Sequence, residues 1–242
     1  MDVSSSGGKK RAESPTARRR RWALLWLEIL TVVLAIGGIA LYGDLVGTLG
    51  MITFQTGRPG QAEKWFRCAL WLQEKARGPR NVAVVGPLNN LVYFYYMTDQ
   101  FDKAAPLAER SVAICRANLE PRNCGWTFSI ASLAYDGTGN FAEAERLANE
   151  ALPILEAATG KQSWQVASTL NRLGMALDGE GRLPEAEAAL QRALAIREAI
   201  GGVNWEGLIP VLNNLSSVYS EEGKEQEAKS ASQRAEAIRA RK

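Results

Sequence analysis

Three asparagines, Asn89, Asn171 and Asn213, each stand one residue after a leucine, and Ser129 holds the same place in a fourth stretch. A side-chain amide both donates and accepts hydrogen bonds, so a row of amides can hold extended peptide backbone without reading much of its sequence. The same groups can equally bond to one another between neighbouring helices, and the residue types leave both uses open. One or two helical turns further on come Asp136, Asp178 and Glu221, with Tyr93 and Tyr96 in the earliest stretch. Arg172 is the one cation among these positions. Together they would make a binding surface that is itself mildly acidic, with an aromatic end.

Catalysis finds little support. The 242 residues contain no histidine, which removes imidazole acid–base chemistry, serine triads and histidine zinc sites. The glycine-containing runs "GTLG" and "GGVNWEG" lack the Lys-Ser/Thr ending of a phosphate loop. Glu143, Glu145, Glu185 and Glu187 look paired, but helical spacing puts them on an outward, solvated face. The chain is therefore expected to be no enzyme and to use no cofactor, metal or small-molecule substrate.

What would position the amides and carboxylates is a repeat. The stretch "LNRLGMALDGEGRLPEAEAALQRALAIRE" from Leu170 has counterparts starting at Leu212, Phe128, Leu88 and Val46, at steps of 42, 42, 40 and 42 residues. A small residue marks each copy (Ala62, Ala104, Ala144, Ala186, Ala228), and a second follows seven later (Ala69, Ser111, Ala151, Ala193, Ala235). Apolar residues at helical spacing fill both halves, for example Leu170, Leu173 and Leu177, then Leu190 and Ile196. Between the halves Gly139, Gly181 and Gly223, with Asp99 in the second copy, predict a helix-ending turn. Each copy thus reads as two antiparallel helices that approach closely at the small residues.

These positions resemble the tetratricopeptide repeat. In the fourth copy Leu170, Leu173, Gly174, Ala186, Leu190 and Ala193 match its large–small pattern. The 42-residue step and the "LNNL…Y…G…EAE…RALAIRE" wording are closest to the kinesin-light-chain subtype, with Ser163-Trp164 and Asn204-Trp205 replacing that subtype's linker His-Pro. The resemblance implies an all-α, right-handed α-solenoid of five helix pairs, at about 44–77, 86–119, 126–159, 168–201 and 210–242. It also implies that first helices line a concave groove and supply ligand contacts. Ser232 stands where copies one and four have Phe66 and Leu190, so the last helix is predicted to face water as a cap.

The amino-terminal part differs. Residues 1–21 carry seven Lys or Arg against Asp2 and Glu13, a net +5, while the whole chain is +3. The remainder is then −2, so the basic balance belongs to a Ser/Gly/Pro-rich, disordered tail and argues against nucleic-acid binding. Next comes "WALLWLEILTVVLAIGGIALY", Trp22 to Tyr42, with Glu28 as its one charge. As a helix it would be about 32 Å long, enough for a bilayer core. Trp22, Trp26 and Tyr42 sit near its ends, where amphipathic rings favour the interface. A single transmembrane helix over 22–43 is expected, with a cleaved leader at Gly38-Ile39-Ala40 as the competing reading. Glu28 reaches back to the interface, pairs with Arg21, or meets a membrane partner. The basic tail keeps the amino terminus in the cytoplasm and sends the repeats of 44–242 across the membrane, into the periplasm on a bacterial reading.

Cys68 and Cys115 fall in second helices as packed thiols; Cys124 lies in a linker, and an oxidising compartment would allow it to pair with Cys115. The function expected is a membrane-anchored scaffold that binds a protein or peptide partner through its groove and touches membrane lipid. The alternative is a structural subunit or assembly factor of a membrane protein complex.

Overall fold

The computed structural model describes residues 42–118, 124–200 and 205–240, and the tail and most of the expected membrane span lie outside them. Among the described residues there are ten α-helices, two short 3-10 turns and no strand. They form five antiparallel pairs: α1 (42–55) with α2 (Pro59–Arg77), α3 (Val85–Met97) with α4 (Phe101–Asn118), and α5 (Gly125–Gly137) with α6 (Phe141–Thr159). The last two pairs are α7 (Trp164–Gly179) with α8 (Leu183–Ala199) and α9 (Ile209–Glu221) with α10 (Glu225–Arg239). No described helix is long and apolar enough to cross a membrane; Trp22, Trp26 and Glu28 are not among the described residues.

One turn closes every pair. Gly57, Asp99, Gly139, Gly181 and Gly223 all have positive φ, between 56° and 76°. The next residue's N–H then bonds back to a carbonyl five residues earlier, as in Gln100 to Tyr95 at 2.8 Å and Lys224 to Tyr219 at 2.8 Å. This is the Schellman stop, which satisfies carbonyls that the helix end would orphan. Asp99 is the one residue in the set with a Cβ to accommodate. At the other ends, Asn140 Oδ1 accepts from the Glu143 N–H and Ser163 Oγ from the Val166 N–H, so α6 and α7 begin on side-chain caps. The Ser163 cap starts α7 at Trp164, four residues ahead of the repeat boundary placed at 168.

Both rows of small residues are buried, from Ala62 to Ala228 and from Ala69 to Ala235. They are small because the helices touch there. A Cβ added to Gly174 would lie 2.5 Å from Leu190 Cγ and 3.3 Å from the Ala186 carbonyl oxygen. In the last copy Ser216 takes that position, and its hydroxyl donates to the Ala228 carbonyl at 2.9 Å. Between repeats, each second helix packs on the next first helix. From α3 onward each first helix also touches the next first helix, whereas no two second helices make a comparable contact. First helices therefore form the tight inner row, and second helices fan out along the back. Ser232 is half-buried while Phe66 and Leu190 are fully buried, in keeping with a polar last helix.

Two further devices tie the copies together. On the back, ion pairs step from one repeat to the next: Arg110–Glu74 at 2.6 Å, Arg116–Glu150 at 2.8 Å, Arg182–Glu145 at 2.9 Å and Lys224–Glu187 at 2.5 Å. Arg192–Glu156 and Arg234–Glu198 continue the series. Exposed pairs of this kind contribute about 0–1 kcal/mol each; they set register more than stability. The second device is covalent: Cys115 on α4 and Cys124 before α5 form a disulfide, with both residues buried and their Cα atoms 5.8 Å apart. Cys115 is thus bonded rather than a packed thiol, and Cys68 remains free.

Candidate functional site

The inner row presents one polar position per repeat. Asn89 is buried, and its Nδ2 donates to Thr127 Oγ1 on α5 at 3.1 Å, leaving Oδ1 buried without a partner. The hydroxyls of Ser129 on α5 and Thr169 on α7 lie 2.7 Å apart. Asn171 Oδ1 accepts from Asn214 Nδ2 on α9 at 3.0 Å. The position thus joins each first helix to the next, α3 to α9. Asn213, in the last repeat, is exposed and makes no such bond.

Arg172 is buried beside this ladder. Its guanidinium donates to Ser129 Oγ and lies 4.8 Å from the ring centre of Trp126, which itself meets Trp164 edge-on at 4.9 Å. Burial lowers its pKa to about 10, and the neighbouring Arg197 acts in the same direction against the opposing pull of Tyr93 and Tyr96. Held by a hydroxyl and covered by an indole, it is a fixed cation of the wall. Tyr93 is half-buried against the core.

A second line runs one helical turn or two further on. Burial, and then the Asp136 carboxylate, push the Tyr96 phenol up to about 12. Asp136 itself rises to about 6, first because it is buried and then because Asp178 faces it. Asp178 is raised in the same way by burial and by Glu221, and one of its oxygens is buried without a hydrogen-bond partner. Tyr96, Asp136, Asp178 and Glu221 thus form one electrostatic series along α3, α5, α7 and α9. Among the described residues none of these three carboxylates has an ion-pair partner. The back is the opposite case: Glu143 pairs with Arg146, Glu145 and Glu185 with Arg182, and Glu187 with Lys224.

The structure also brings in residues that sequence reasoning did not select: Trp126, Thr127, Thr169 and Asn214. Thr127 and Thr169 share a repeat position, two residues before Ser129 and Asn171, and alignment of the copies would have shown the coincidence. Nothing in the doublet Asn213-Asn214 favours its second member as the bonded one. Trp126 stands where no other copy has an aromatic. No cluster of His, Cys, Asp or Glu able to hold a metal occurs among the described residues.

Paired helices, small residues at each crossing and a polar inner row define a helical-repeat scaffold suited to protein–protein interaction. The tetratricopeptide repeat model matches residues 85–157 and 165–241, more than half the chain, and the chain belongs to that family. No curated protein matches the sequence. Among solved structures the fold is similar to BtubC (BKLC) from P. vanneervenii, with a TM-score of 0.66 and 24% identity over 89% of this chain and 91% of that one. It is also similar to the nearly identical repeats of a putative kinesin light chain from Podosopora anserina (0.62; 20% identity; 82% and 95% covered). A Rap protein complexed with Competence and Sporulation Factor gives 0.68 at 19% identity, with 81% of this chain and 53% of that one covered. At these identities the likeness is one of fold.

Proposed function

We propose that the chain is a membrane-anchored scaffold whose inner row captures an extended, basic segment of a protein partner. One observation carries the reading: Asp136, Asp178 and Glu221 stand in line with no ion-pair partner among the described residues, while Glu145 and Glu187 on the back are matched by Arg182 and Lys224 of the next repeat. Like charges that raise one another's proton affinity favour a positive group arriving from outside. Trp164, half-exposed at the edge of the row, adds an aromatic face for a guanidinium or ammonium. That a Rap protein of similar fold is complexed with Competence and Sporulation Factor supports ligand capture as a use of such a stack. The repeat step and the likeness in fold to the kinesin light chain repeats from Podosopora anserina support that subtype of repeat.

The anchor reading rests on the apolar run 22–42 behind the basic tail. The Cys115–Cys124 disulfide adds support for an exported repeat domain, since structural disulfides persist in oxidising compartments. The periplasmic side of a bacterial inner membrane meets both conditions. The alternative of a structural subunit is favoured by Tyr42, Leu45, Leu49 and Ile52, which α1 leaves exposed on one stripe.

Two measurements test the proposal. Full-length protein in mild detergent should bind extended Lys/Arg-containing peptides and not their Ala counterparts, with Asp178→Asn weakening capture about tenfold, the effect of one lost charge-assisted contact. Equal binding of neutral peptides would sink the groove reading. In a chain whose Cys68 is replaced by Ser, a cysteine at Glu225 should react with impermeant reagent in intact cells, and one in the tail should not. The reverse pattern would put the repeats in the cytoplasm.

A further inference from the structure

The two ends of the stack are built differently. At the amino end, α1 leaves Tyr42, Leu45, Leu49 and Ile52 exposed, and helical spacing puts the four on one stripe. In the second repeat the same register holds Val84, Pro87, Leu91 and Phe94, all buried, and the equivalents in the three later repeats are buried too. The preceding repeat is what covers them. Phe94, in register with Ile52, lies 5.4 Å from the Phe54 ring and 5.8 Å from the Phe66 ring. Thr127 and Thr169, in register with Leu45, bond back to Asn89 and Ser129. The stripe on α1 is thus half of a repeat joint, and nothing among the described residues supplies the other half.

This half-joint has lost the polar parts of the others. Leu45 replaces the bonding hydroxyls of Thr127 and Thr169. Cys68 stands where Arg110, Glu150, Arg192 and Arg234 each pair with a charge of the preceding repeat. Trp65, in register with Leu107, adds an exposed indole; Leu107 and Leu91 line one groove, so Trp65 and Leu49 share this face. The one charge on α1, Asp44, accepts from Gln73 Nε2 at 3.1 Å.

A neutral apolar face suits a two-fold joint, where the same patch meets itself and any charge would oppose its like. The carboxyl end of the stack is no match for it. Lys229, Ser232 and Glu236 stand there at the register of Glu187, Leu190 and Leu194, which the fourth repeat turns toward the fifth. Laying that end on α1 would bury two charges against leucines, which is costly without partners. Head-to-tail stacking is therefore disfavoured, and the face that matches the stripe is the stripe itself.

We propose that Tyr42, Leu45, Leu49 and Ile52, flanked by Trp65, dock a second copy of this chain in a closed two-fold dimer. Their steps of 3, 4 and 3 residues are the spacing of a two-helix seam. Gly47 and Phe54, which hold the register of the inner row on α1, lie on the opposite side of the helix, so both rows stay open. A dimer offers two acidic rows to one partner, and the second contact forms at raised effective concentration. The patch is only a few hundred Å², which sets association in the micromolar range.

Sedimentation and cross-linking of the full-length protein test this. In mild detergent, at tens of micromolar, the wild type should be a dimer. Leu45→Ser with Leu49→Ser should raise the dissociation constant at least tenfold with helicity and melting temperature unchanged, and Leu49→Met should keep the dimer. In phosphatidylcholine vesicles, a Cys68→Ser, Leu49→Cys chain should be joined to its copy by a short bismaleimide. A Cys68→Ser, Glu225→Cys chain, labelled at the far end, should not. A monomeric wild type with no cross-link at Leu49→Cys would overturn the proposal. A dimer unchanged by the two serines would do the same, since it places the contact elsewhere. Two further results would assign the stripe to another occupant: a monomer in which Leu49→Cys resists maleimide, covered by its own amino-terminal segment, or protection of α1 from hydrogen exchange that appears only with vesicles, covered by lipid.

Discussion

The ring of Phe141, first residue of α6, occupies the space that a side chain on Gly179, last residue of α7, would need: an added Cβ would fall 2.5 Å from the ring. The same contact occurs one repeat earlier between Phe101 and Gly137, at 2.3 Å. The aromatic at the start of one second helix thus sets the distance to the next first helix. Gly179→Ala should overpack that joint and destabilise the domain by about 1–3 kcal/mol, read as a lower urea midpoint. An unchanged midpoint would mean that the ring moves aside freely.

Asp99 is the turn residue to change in the other direction. It holds φ 56° where the four equivalent residues are glycine. A Cβ in that region costs about 1 kcal/mol or more relative to glycine, although glycine also loses more freedom on folding. Asp99→Gly should therefore raise the melting temperature slightly, and a decrease would show that the Asp99 side chain contributes more than its strain.

Asp136 makes stability depend on pH. Its folded pKa, about 6, is above the ordinary value of 3.8. The folded state therefore binds the proton more tightly, and this group's contribution falls as pH rises from about 4 to about 6. Asp178, raised for similar reasons, acts with the same sign. Urea midpoints should be lower at pH 7.5 than at pH 5 relative to an Asp136→Asn chain, whose profile should be flatter. Parallel profiles would show that the carboxyl is not held neutral. Capture of a basic peptide should follow the opposite trend and weaken below about pH 6.

Two asparagines of one repeat column should behave differently. Asn171 bonds Asn214 across the joint between α7 and α9, so Asn171→Ala leaves a partner unsatisfied and should cost about 1 kcal/mol. Asn213 is exposed and free of such a bond. Asn213→Ala should leave the urea midpoint alone, and any loss of peptide binding it causes reports on the groove directly.

Reduction tests the staple at the α4–α5 joint. A bridge nine residues apart contributes about 2–3 kcal/mol by restricting the unfolded chain. Dithiothreitol should lower the melting temperature of the wild type and leave a Cys115→Ala, Cys124→Ala chain unmoved. An equal response of both would deny the bridge.

The pairing of helices was legible in the sequence because period, small residues and turn glycines act locally and recur; even Asp99 was placed as a turn by its repeat position. What joins one repeat to the next was less legible. Thr127, Thr169 and Asn214 act across about 40 residues, and no local rule says which polar side chain will face which. Arg172 read as an accessible groove cation, but its burial depends on Trp126 from the preceding repeat. The Cys115–Cys124 bond was left open, since nine residues of separation fix neither distance nor compartment.

Close backbone approach between first helices, with only side-chain ion pairs between second helices, gives the stack the mechanics of a leaf spring. Its inner leaf is tied by uncharged hydroxyls and amides, buried or half-buried, and its outer leaf by exposed Arg–Glu and Lys–Glu links. Ionic strength screens the outer links and spares the inner ones. Salt should therefore relax the curvature without unfolding the helices, so that a ligand held along the inner leaf feels the ionic strength of its surroundings through the stiffness of the back.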